Sequence, residues 1–241
     1  MPGLPQYRIF PLGDSALTLD FGNLIDESLN KLVISLFQSL REKPLPGMIE
    51  AVPAYSSLTI YYGIHELTRL APDAKNIGKW MEDQLKERLI VPANVDKTES
   101  RLVEIPVCYD EEFGFDLPGI ASKKKCSPAE IQEIHCATIY RVYLLGFLPG
   151  FPYMGELDKR IEMPRLAQPR QRLEAGSVGI AGKQTGIYPL ASPGGWQIIG
   201  RTPVQLFNPD KKIPTLLHAG DRVRFYPIDK HEFKNYQSRT A

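Results

Sequence analysis

The chain has 241 residues, of which 43% are hydrophobic and 24% charged, which suits one large or two small globular domains. With a net charge of +1, the chain lacks the excess of basic residues that is typical of proteins that bind nucleic acid or anionic membranes. We therefore predict neither partner. No run approaches the roughly 20 apolar residues that span a bilayer, and the first residues lack the features of a signal peptide, which predicts a cytoplasmic protein. The three cysteines and four histidines are scattered, so no metal site is predicted.

The first part of the chain alternates strand and helix patterns. Two segments with apolar residues at helical spacing predict amphipathic helices, residues 26–43 and 73–89. Alternating or short apolar runs between turn residues predict five strands. These strands fall within residues 7–22 and 47–63, two in each, and within residues 101–110.

This order of elements predicts a small α+β domain, in which helices cover one face of a sheet. We place this domain at residues 1–95, because the polar run at 92–100 is a plausible boundary. The turn residues of this domain do not form the pattern of any recognisable catalytic or binding site.

The second part, residues 101–241, is richer in glycine and turns. Ser127, Pro128 and Glu130 form the pattern of a helix N-terminus with a capping box. Ten of the nineteen glycines lie between Gly146 and Gly200, where short apolar runs recur between turn signals. This pattern of short apolar runs and turns predicts a mainly-β domain with a closed or nearly closed sheet.

A glycine-rich run, "GSVGIAGKQTGIYP", contains Gly182 and Lys183 and invites comparison with a phosphate-binding loop. The comparison fails because Ser177 stands where the first glycine is required and Gln184 where Ser or Thr is required. Backbone amides in such turns can still bind an anion, but β-turns that need positive φ explain most of these glycines better.

The segment "MPRLAQPR" places Arg165 and Arg170 each directly after a proline. Proline restricts the backbone conformation, so both guanidinium groups extend from a rigid main chain. Guanidinium groups held in this way suit the binding of a carboxylate or phosphate. Arg201 is a candidate for a third member of the group. The alternative is that these are ordinary surface arginines.

His135 lies near the end of the helix that starts at Ser127, shortly before Tyr140 and Tyr143. A histidine whose helix leads into a glycine-rich site is a candidate general base or orienting group. The alternative, which we weigh equally, is a packing residue or a cation at a helix C-terminus.

The stretches "HCATIYRVYLLGFLPGFPYMGEL", "MPRLAQPRQRLEAGSVGIAGKQTGIYPLASPGGWQIIGRTP" and "HAGDRVRF" resemble the family of the 5-oxoprolinase B subunit, which includes Kip-type kinase inhibitors and proteins described as allophanate hydrolase subunit 1. The resemblance implies an N-terminal α+β domain and a C-terminal, cyclophilin-like β-barrel domain, as in carboxyltransferase domains. It also implies a homologous C subunit and a separate A subunit as partners. The expected reaction is the ATP-dependent opening of 5-oxoproline to glutamate, with Mg²⁺ as the counter-ion of ATP.

Within this resemblance we assign roles to eight side chains. His135 is expected to carry a proton or orient a group, while Lys183 and Gln184 polarise a phosphoryl or carbonyl oxygen. The remaining residues are expected to bind the anion or form the aromatic wall of the site: Arg165, Arg170, Arg201, Tyr188 and Trp196. Phe147, Phe151 and Tyr153, in the stretch before them, are expected to pack beside the site.

Two other functions remain open from the residues. A Kip-type protein would dock on a sensor histidine kinase and perform no chemistry. A carboxyltransferase-type component of a urea or allophanate system would need a biotinyl-lysine segment, which this sequence lacks and a partner would have to carry. The paired Pro-Arg motif and Lys183–Gln184 are more typical of a small-molecule site than of a docking surface.

Overall fold

A computed structural model describes residues 4–90 and 100–240 of the chain. The chain divides into two compact units between residues 99 and 100, and each unit has a hydrophobic core of its own. Except for Ser100, the predicted boundary at 92–100 lies outside the described residues. Among those residues, no helix is long and apolar enough to cross a membrane.

The first unit contains the strands and helices that the sequence predicts, together with one short helix that it does not. In chain order the elements are β1 (Arg8–Pro11), β2 (Ala16–Asp20), α1 (Glu27–Glu42), β3 (Met48–Pro53), β4 (Ser57–Tyr62), α2 (Ile64–Leu70) and α3 (Ile77–Ile90). The unpredicted helix is α2. It is only seven residues long, too short for a clear helical pattern to emerge.

The four strands form one antiparallel sheet in the order β1-β2-β4-β3. Leu17 and Leu19 on β2 lie opposite Ile60 and Leu58 on β4, and all four belong to the buried core that α1 and α3 complete. The side chain of Asp26 caps α1 by accepting a 2.8 Å hydrogen bond from the N–H of Leu29. The prediction of helices on one face of a sheet is therefore confirmed for this unit.

The second unit is mixed α/β rather than mainly β, because three helices accompany its strands. In chain order its elements are β5 (Leu102–Val107), α4 (Leu117–Lys124), α5 (Pro128–Ala137), β6 (Ile139–Leu145), β7 (Pro152–Gly155), β8 (Arg170–Leu173), β9 (Ser177–Ala181), β10 (Gln184–Ile187), β11 (Ser192–Gly194), β12 (Gln197–Arg201), β13 (Arg222–Pro227) and α6 (Lys230–Thr240). The predicted capping box of α5 is confirmed: Ser127 Oγ accepts from the N–H of Glu130, and Glu130 accepts from the N–H of Ser127.

Seven strands of this unit form one curled sheet in the order β12-β9-β10-β7-β6-β13-β5, and only the β13–β5 pair is parallel. The two edges meet where their strands end, at Cys108 directly after β5 and at Arg201, the last residue of β12. Cys108 donates to Arg201 at 2.8 Å and accepts from it at 2.9 Å through the main chain. The predicted closed or nearly closed sheet is confirmed to this extent, while the specific likeness to cyclophilin stays a prediction.

Gly200 lies where the two edges of the curled sheet approach each other. A Cβ atom at this position would stand 2.7 Å from Val107 Cγ1 and 2.8 Å from the carbonyl oxygen of Cys108, closer than van der Waals contact permits. We expect Gly200→Ala to lower the free energy of unfolding by about 1–3 kcal/mol, because the main chain of Cys108 must shift. Denaturant unfolding measures this effect.

Gly119 offers a matched control for this substitution. It lies inside α4, and a Cβ atom there would meet no atom within 4 Å. Gly119→Ala is expected to leave stability unchanged or to raise it by up to about 1 kcal/mol, since alanine has the higher helix propensity. Equal losses in both variants would show that close approach at Gly200 is not the cause.

Candidate functional site

A cluster of buried aromatic rings forms the floor of the candidate site. Phe151, Tyr188 and Trp196 are almost fully buried and pack with Leu173 and Ile198. The ring of Phe151 meets those of Tyr188 and Trp196 edge to face, at centroid distances of 5.1 and 5.4 Å. Tyr188 and Trp196 thus belong to one aromatic cluster whose rings are largely covered by their neighbours, and their role as the wall of a site stays a prediction.

Arg165 lies above this floor, with its guanidinium carbon 5.9 Å from the centroid of the Trp196 ring. Its side chain is exposed, whereas the residues on either side are tied to the main chain around Trp196. Leu166 donates to the carbonyl of Gly195 at 2.7 Å, and the side chain of Gln197 donates to the carbonyl of Pro164 at 3.1 Å. The stiff presentation that Pro164 predicts is therefore reinforced by contacts distant in sequence.

Arg170 begins β8 and is half-buried. Its Nη2 donates to Asp116 Oδ1 at 2.6 Å, and its guanidinium carbon lies 4.7 Å from the centroid of the Phe115 ring. Gly194, which precedes Trp196 by two residues, is its partner in the β11–β8 pair. Arg170 is therefore held beside the same aromatic cluster as Arg165.

The charges of both arginines act on the tyrosines of this region. Burial raises the pKa of Tyr188, and the Trp196 backbone together with Arg165 and Arg170 opposes that rise by smaller amounts. Burial likewise raises the pKa of Tyr153, with Arg165 opposing it. Both phenols are therefore neutral near neutral pH, and Arg165 acts on both of them, whereas Arg170 acts on Tyr188.

Lys183 and Gln184 belong to a tight hairpin turn rather than to a loop that leads into a helix. Gly182, with φ of +56°, and the exposed Lys183 join β9 to β10, and Gln184 pairs with Ala181 as the first residue of β10. The N–H of Gly182 donates to the carbonyl of Met163 at 2.6 Å, which places the turn next to the segment that carries Arg165. The turn interpretation of Gly182 is confirmed, while the chemical roles of Lys183 and Gln184 stay predictions.

His135 lies in the core of the unit, with none of its surface exposed. Its Nδ1 is 2.7 Å from Tyr109 Oη, its Nε2 is 2.9 Å from Thr185 Oγ1, and its ring stacks on Phe225 at 4.6 Å. The hydroxyl of Thr185 lies 3.1 Å from the carbonyl of Gly179, which can only accept, and this network is satisfied when the imidazole proton resides on Nε2. Tyr109 then donates to Nδ1, and both ring nitrogens are satisfied.

Burial lowers the pKa of His135 from its usual 6.5 to about 3, so the ring is neutral at neutral pH. A neutral, fully enclosed imidazole with both nitrogens bonded has the environment of a packing residue. This geometry favours the packing alternative over the predicted proton carrier, because no substrate atom can reach the ring.

Arg201 occupies a different environment from Arg165 and Arg170. Its Nε donates to the carbonyl of Ala175 at 2.8 Å, and its guanidinium carbon lies 5.9 Å from the centroid of the Phe233 ring on α6. Its main chain closes the curled sheet. These contacts indicate a structural role for Arg201. No described contact joins it to Arg165 or Arg170.

Asp116 and Phe115 are contacts of the candidate site that the sequence did not reveal. Asp116 precedes Leu117 and Pro118 at the start of α4, so its position in the sequence suggests nothing beyond a helix cap. Phe147, which we expected to pack beside the site, is 64% exposed, and its ring meets that of Phe151 at a centroid distance of 5.7 Å. No group of three or more metal-ligating side chains occurs in the described part of the chain.

The model of the family "Carboxyltransferase domain, subdomain C and D" matches residues 7–217 of the chain. A Bacillus subtilis protein, named as the B subunit of 5-oxoprolinase, is 44% identical over 98% of this chain and 98% of its own length. The protein of the same name in Escherichia coli O157:H7 is 39% identical over 93% of this chain and 97% of its own.

Among solved structures, that of TTHA0988 superposes with a TM-score of 0.75 at 38% identity and covers 89% of this chain. This chain spans only 40% of that longer chain. The chain therefore belongs to the carboxyltransferase-domain family of subdomains C and D. Within that family, the relatives at 44% and 39% identity both carry the name of the 5-oxoprolinase B subunit.

Proposed function

We propose that the chain is the B subunit of a cytoplasmic, ATP-dependent 5-oxoprolinase, which opens 5-oxo-L-proline to L-glutamate together with a homologous C subunit and a separate A subunit. The names of the relatives support the family role. The observation that carries the substrate assignment is the placement of Arg165 and Arg170 beside one aromatic cluster.

This placement suits the chemistry of the substrate. 5-Oxoproline carries one carboxylate on a small, largely apolar lactam ring, and Arg165 presents an exposed guanidinium above an indole ring. A guanidinium binds carboxylate oxygens with charge-assisted hydrogen bonds. The half-buried ring of Tyr153, which packs against Trp196 at 5.9 Å, would accept the apolar part of the lactam ring. The lactam C–N bond would then break as water adds to the carbonyl carbon.

The nucleotide is assigned to the complex rather than to a pocket of this chain. The turn at Gly182 and Lys183 lacks the helix that follows a phosphate-binding loop, so it offers one cation and not a complete nucleotide site. We propose that Lys183 and Gln184 supply this chain's polar contacts to a phosphoryl or carbonyl oxygen of ATP or substrate. When bound with Mg²⁺, ATP would supply the driving force for an unfavourable ring opening.

The test is reconstitution with the homologous C subunit and the A subunit. We expect 5-oxoproline-dependent ATP hydrolysis and glutamate formation only when all three subunits are mixed, because the turn at Lys183 is too small to hold a nucleotide without its partners. Each of the three proteins is omitted in turn as a control. Failure of the complete, correctly assembled mixture to turn over 5-oxoproline would contradict the proposal.

The same preparation separates the proposal from the kinase-inhibitor alternative. A Kip-type inhibitor would suppress the autophosphorylation of a sensor histidine kinase even when the C subunit of the proposed complex is absent. Such a protein requires only a docking surface, whereas the arginine pair is held by a dedicated ion pair and by main-chain contacts. Suppression of the kinase without any 5-oxoproline turnover would favour the alternative.

A further inference from the structure

Asp116 uses its carboxylate in a way that the start of a helix does not require. It stands at the N-cap position of α4, where aspartate usually accepts a hydrogen bond from the first turn, but it makes no such bond. Instead, Oδ2 accepts from the main chain of Ile198 at 2.6 Å and Oδ1 accepts from Arg170 at 2.6 Å. The carboxylate is therefore fixed on β12 and in turn fixes a guanidinium.

Arg170 is held along one edge only. Asp116 engages Nη2, and the ring of Phe115 lies against the guanidinium, whereas Nη1 is buried and has no hydrogen-bond partner within the described chain. A buried N–H group without an acceptor is unfavourable, and buried polar groups in native proteins are nearly always paired. The Arg170 side chain as a whole is 31% exposed, so a ligand would meet its accessible part rather than the enclosed Nη1.

The ion pair also sets the charge that a ligand meets. Arg165 over Trp196 and Arg170 over Phe115 contribute two positive charges, and Asp116 offsets one of them, so the arginine pair together with Asp116 carries a net charge of +1 rather than +2. A net charge of +1 complements a carboxylate that carries a single negative charge. A dianion such as a phosphate ester or sulfate would be better matched by two uncompensated guanidinium groups.

We infer that Asp116 is a positioning residue that orients Arg170 towards the ligand and, by neutralising one of the two arginine charges, makes the site selective for monocarboxylates over dianions. This inference rests on the proposed function for the identity of the substrate, since 5-oxoproline is a monocarboxylate. Asp116 would act through Arg170 rather than on the ligand, because its side chain is only 12% exposed and its carboxylate would repel the carboxylate of the ligand.

The test compares the binding of acetate, 5-oxoproline and sulfate by the full chain at constant ionic strength. The indole N–H signal of Trp196 in nitrogen–proton NMR spectra reports binding, and a Trp80→Phe variant assigns that signal, since the chain has two tryptophans. Asp116→Asn keeps an acceptor for Ile198 but removes the charge. We expect the ratio of sulfate affinity to acetate affinity to rise about tenfold or more in this variant.

A purely structural role for Asp116 predicts a different outcome. Asp116→Asn would then lower the melting temperature and leave the ratio of the two affinities as in the wild type, which would overturn the inference. If Asp116→Asn does not fold, Arg170→Gln carries the test, because it removes the other partner of the ion pair. Its acetate affinity is expected to fall about tenfold, and an unchanged affinity would overturn the inference.

The acetate and sulfate measurements do not depend on turnover, so they separate this inference from the proposed function. A shift in selectivity together with an inactive reconstituted complex would support the role of Asp116 and contradict the oxoprolinase assignment. An active complex, together with unchanged selectivity in Asp116→Asn, would support the oxoprolinase assignment and contradict the role of Asp116.

Discussion

Lowering the pH from about 6.5 to about 3 is expected to cost the folded second unit up to about 5 kcal/mol through His135 alone. Burial lowers the pKa of this imidazole from 6.5 to about 3, while the unfolded chain retains the ordinary value. Below pH 6.5 the unfolded state therefore binds a proton that the folded state does not. The stability is complete above the unfolded pKa and is lost progressively as the pH falls towards the folded pKa.

This expectation is measured by urea unfolding across that pH range. Fluorescence of the buried Trp196 in a Trp80→Phe background reports the second unit alone. His135→Gln is expected to be less stable than the wild type near neutral pH, because it loses the stacking on Phe225, but to depend less steeply on pH.

The comparison between variants removes the contribution of the carboxylates, which titrate in the same range. His231→Gln is the matched control, since that residue is exposed at the start of α6 in the same unit. It is expected to retain the wild-type pH dependence. Parallel stability curves for the wild type and His135→Gln would contradict the expectation.

Arg165→Ala is expected to raise the KM for 5-oxoproline of the reconstituted complex by about 10- to 150-fold, which corresponds to the 1.5–3 kcal/mol of a hydrogen bond to a charged group. The turnover number should change little, because the carboxylate of the substrate is not the reacting group and the lost interaction is uniform binding. Stability should be retained, since the side chain is exposed.

Arg172 provides the matched control for this substitution. It lies on β8, is exposed, and pairs with Glu174 at 2.9 Å, away from the described contacts of the aromatic cluster. Arg172→Ala is expected to change the KM by less than about twofold, as an exposed ion pair contributes little. Equal effects of the two substitutions would reduce Arg165 to an ordinary surface arginine.

The sequence predicts the first unit and the start of α5 well because their signals are local. Apolar spacing defines α1 and α3, alternation defines β2 and β4, and the capping box fixes the helix that begins at Pro128. The stiff presentation of Arg165 is also foreseeable, since it follows from the proline directly before it.

The parts that the sequence could not reveal depend on contacts between distant residues. Asp116 resembles an ordinary helix cap until β12 is placed beside it, and only the fold shows that its carboxylate reaches Arg170. The same holds for His135: helical spacing does not show that Thr185 and Tyr109 enclose the ring. The turn at Gly182 follows from the glycine-rich run, but its hydrogen bond to Met163 does not.

The pair of main-chain hydrogen bonds between Cys108 and Arg201 has a consequence for the order of folding. These residues are far apart in sequence, so joining them requires a large loop closure, and such contacts form slowly. Asp116 bonds to Ile198 on the same strand, β12, a few residues from the junction. We therefore expect the guanidinium of Arg170 to acquire its final orientation only once β12 has packed beside Asp116, late in the folding of this unit.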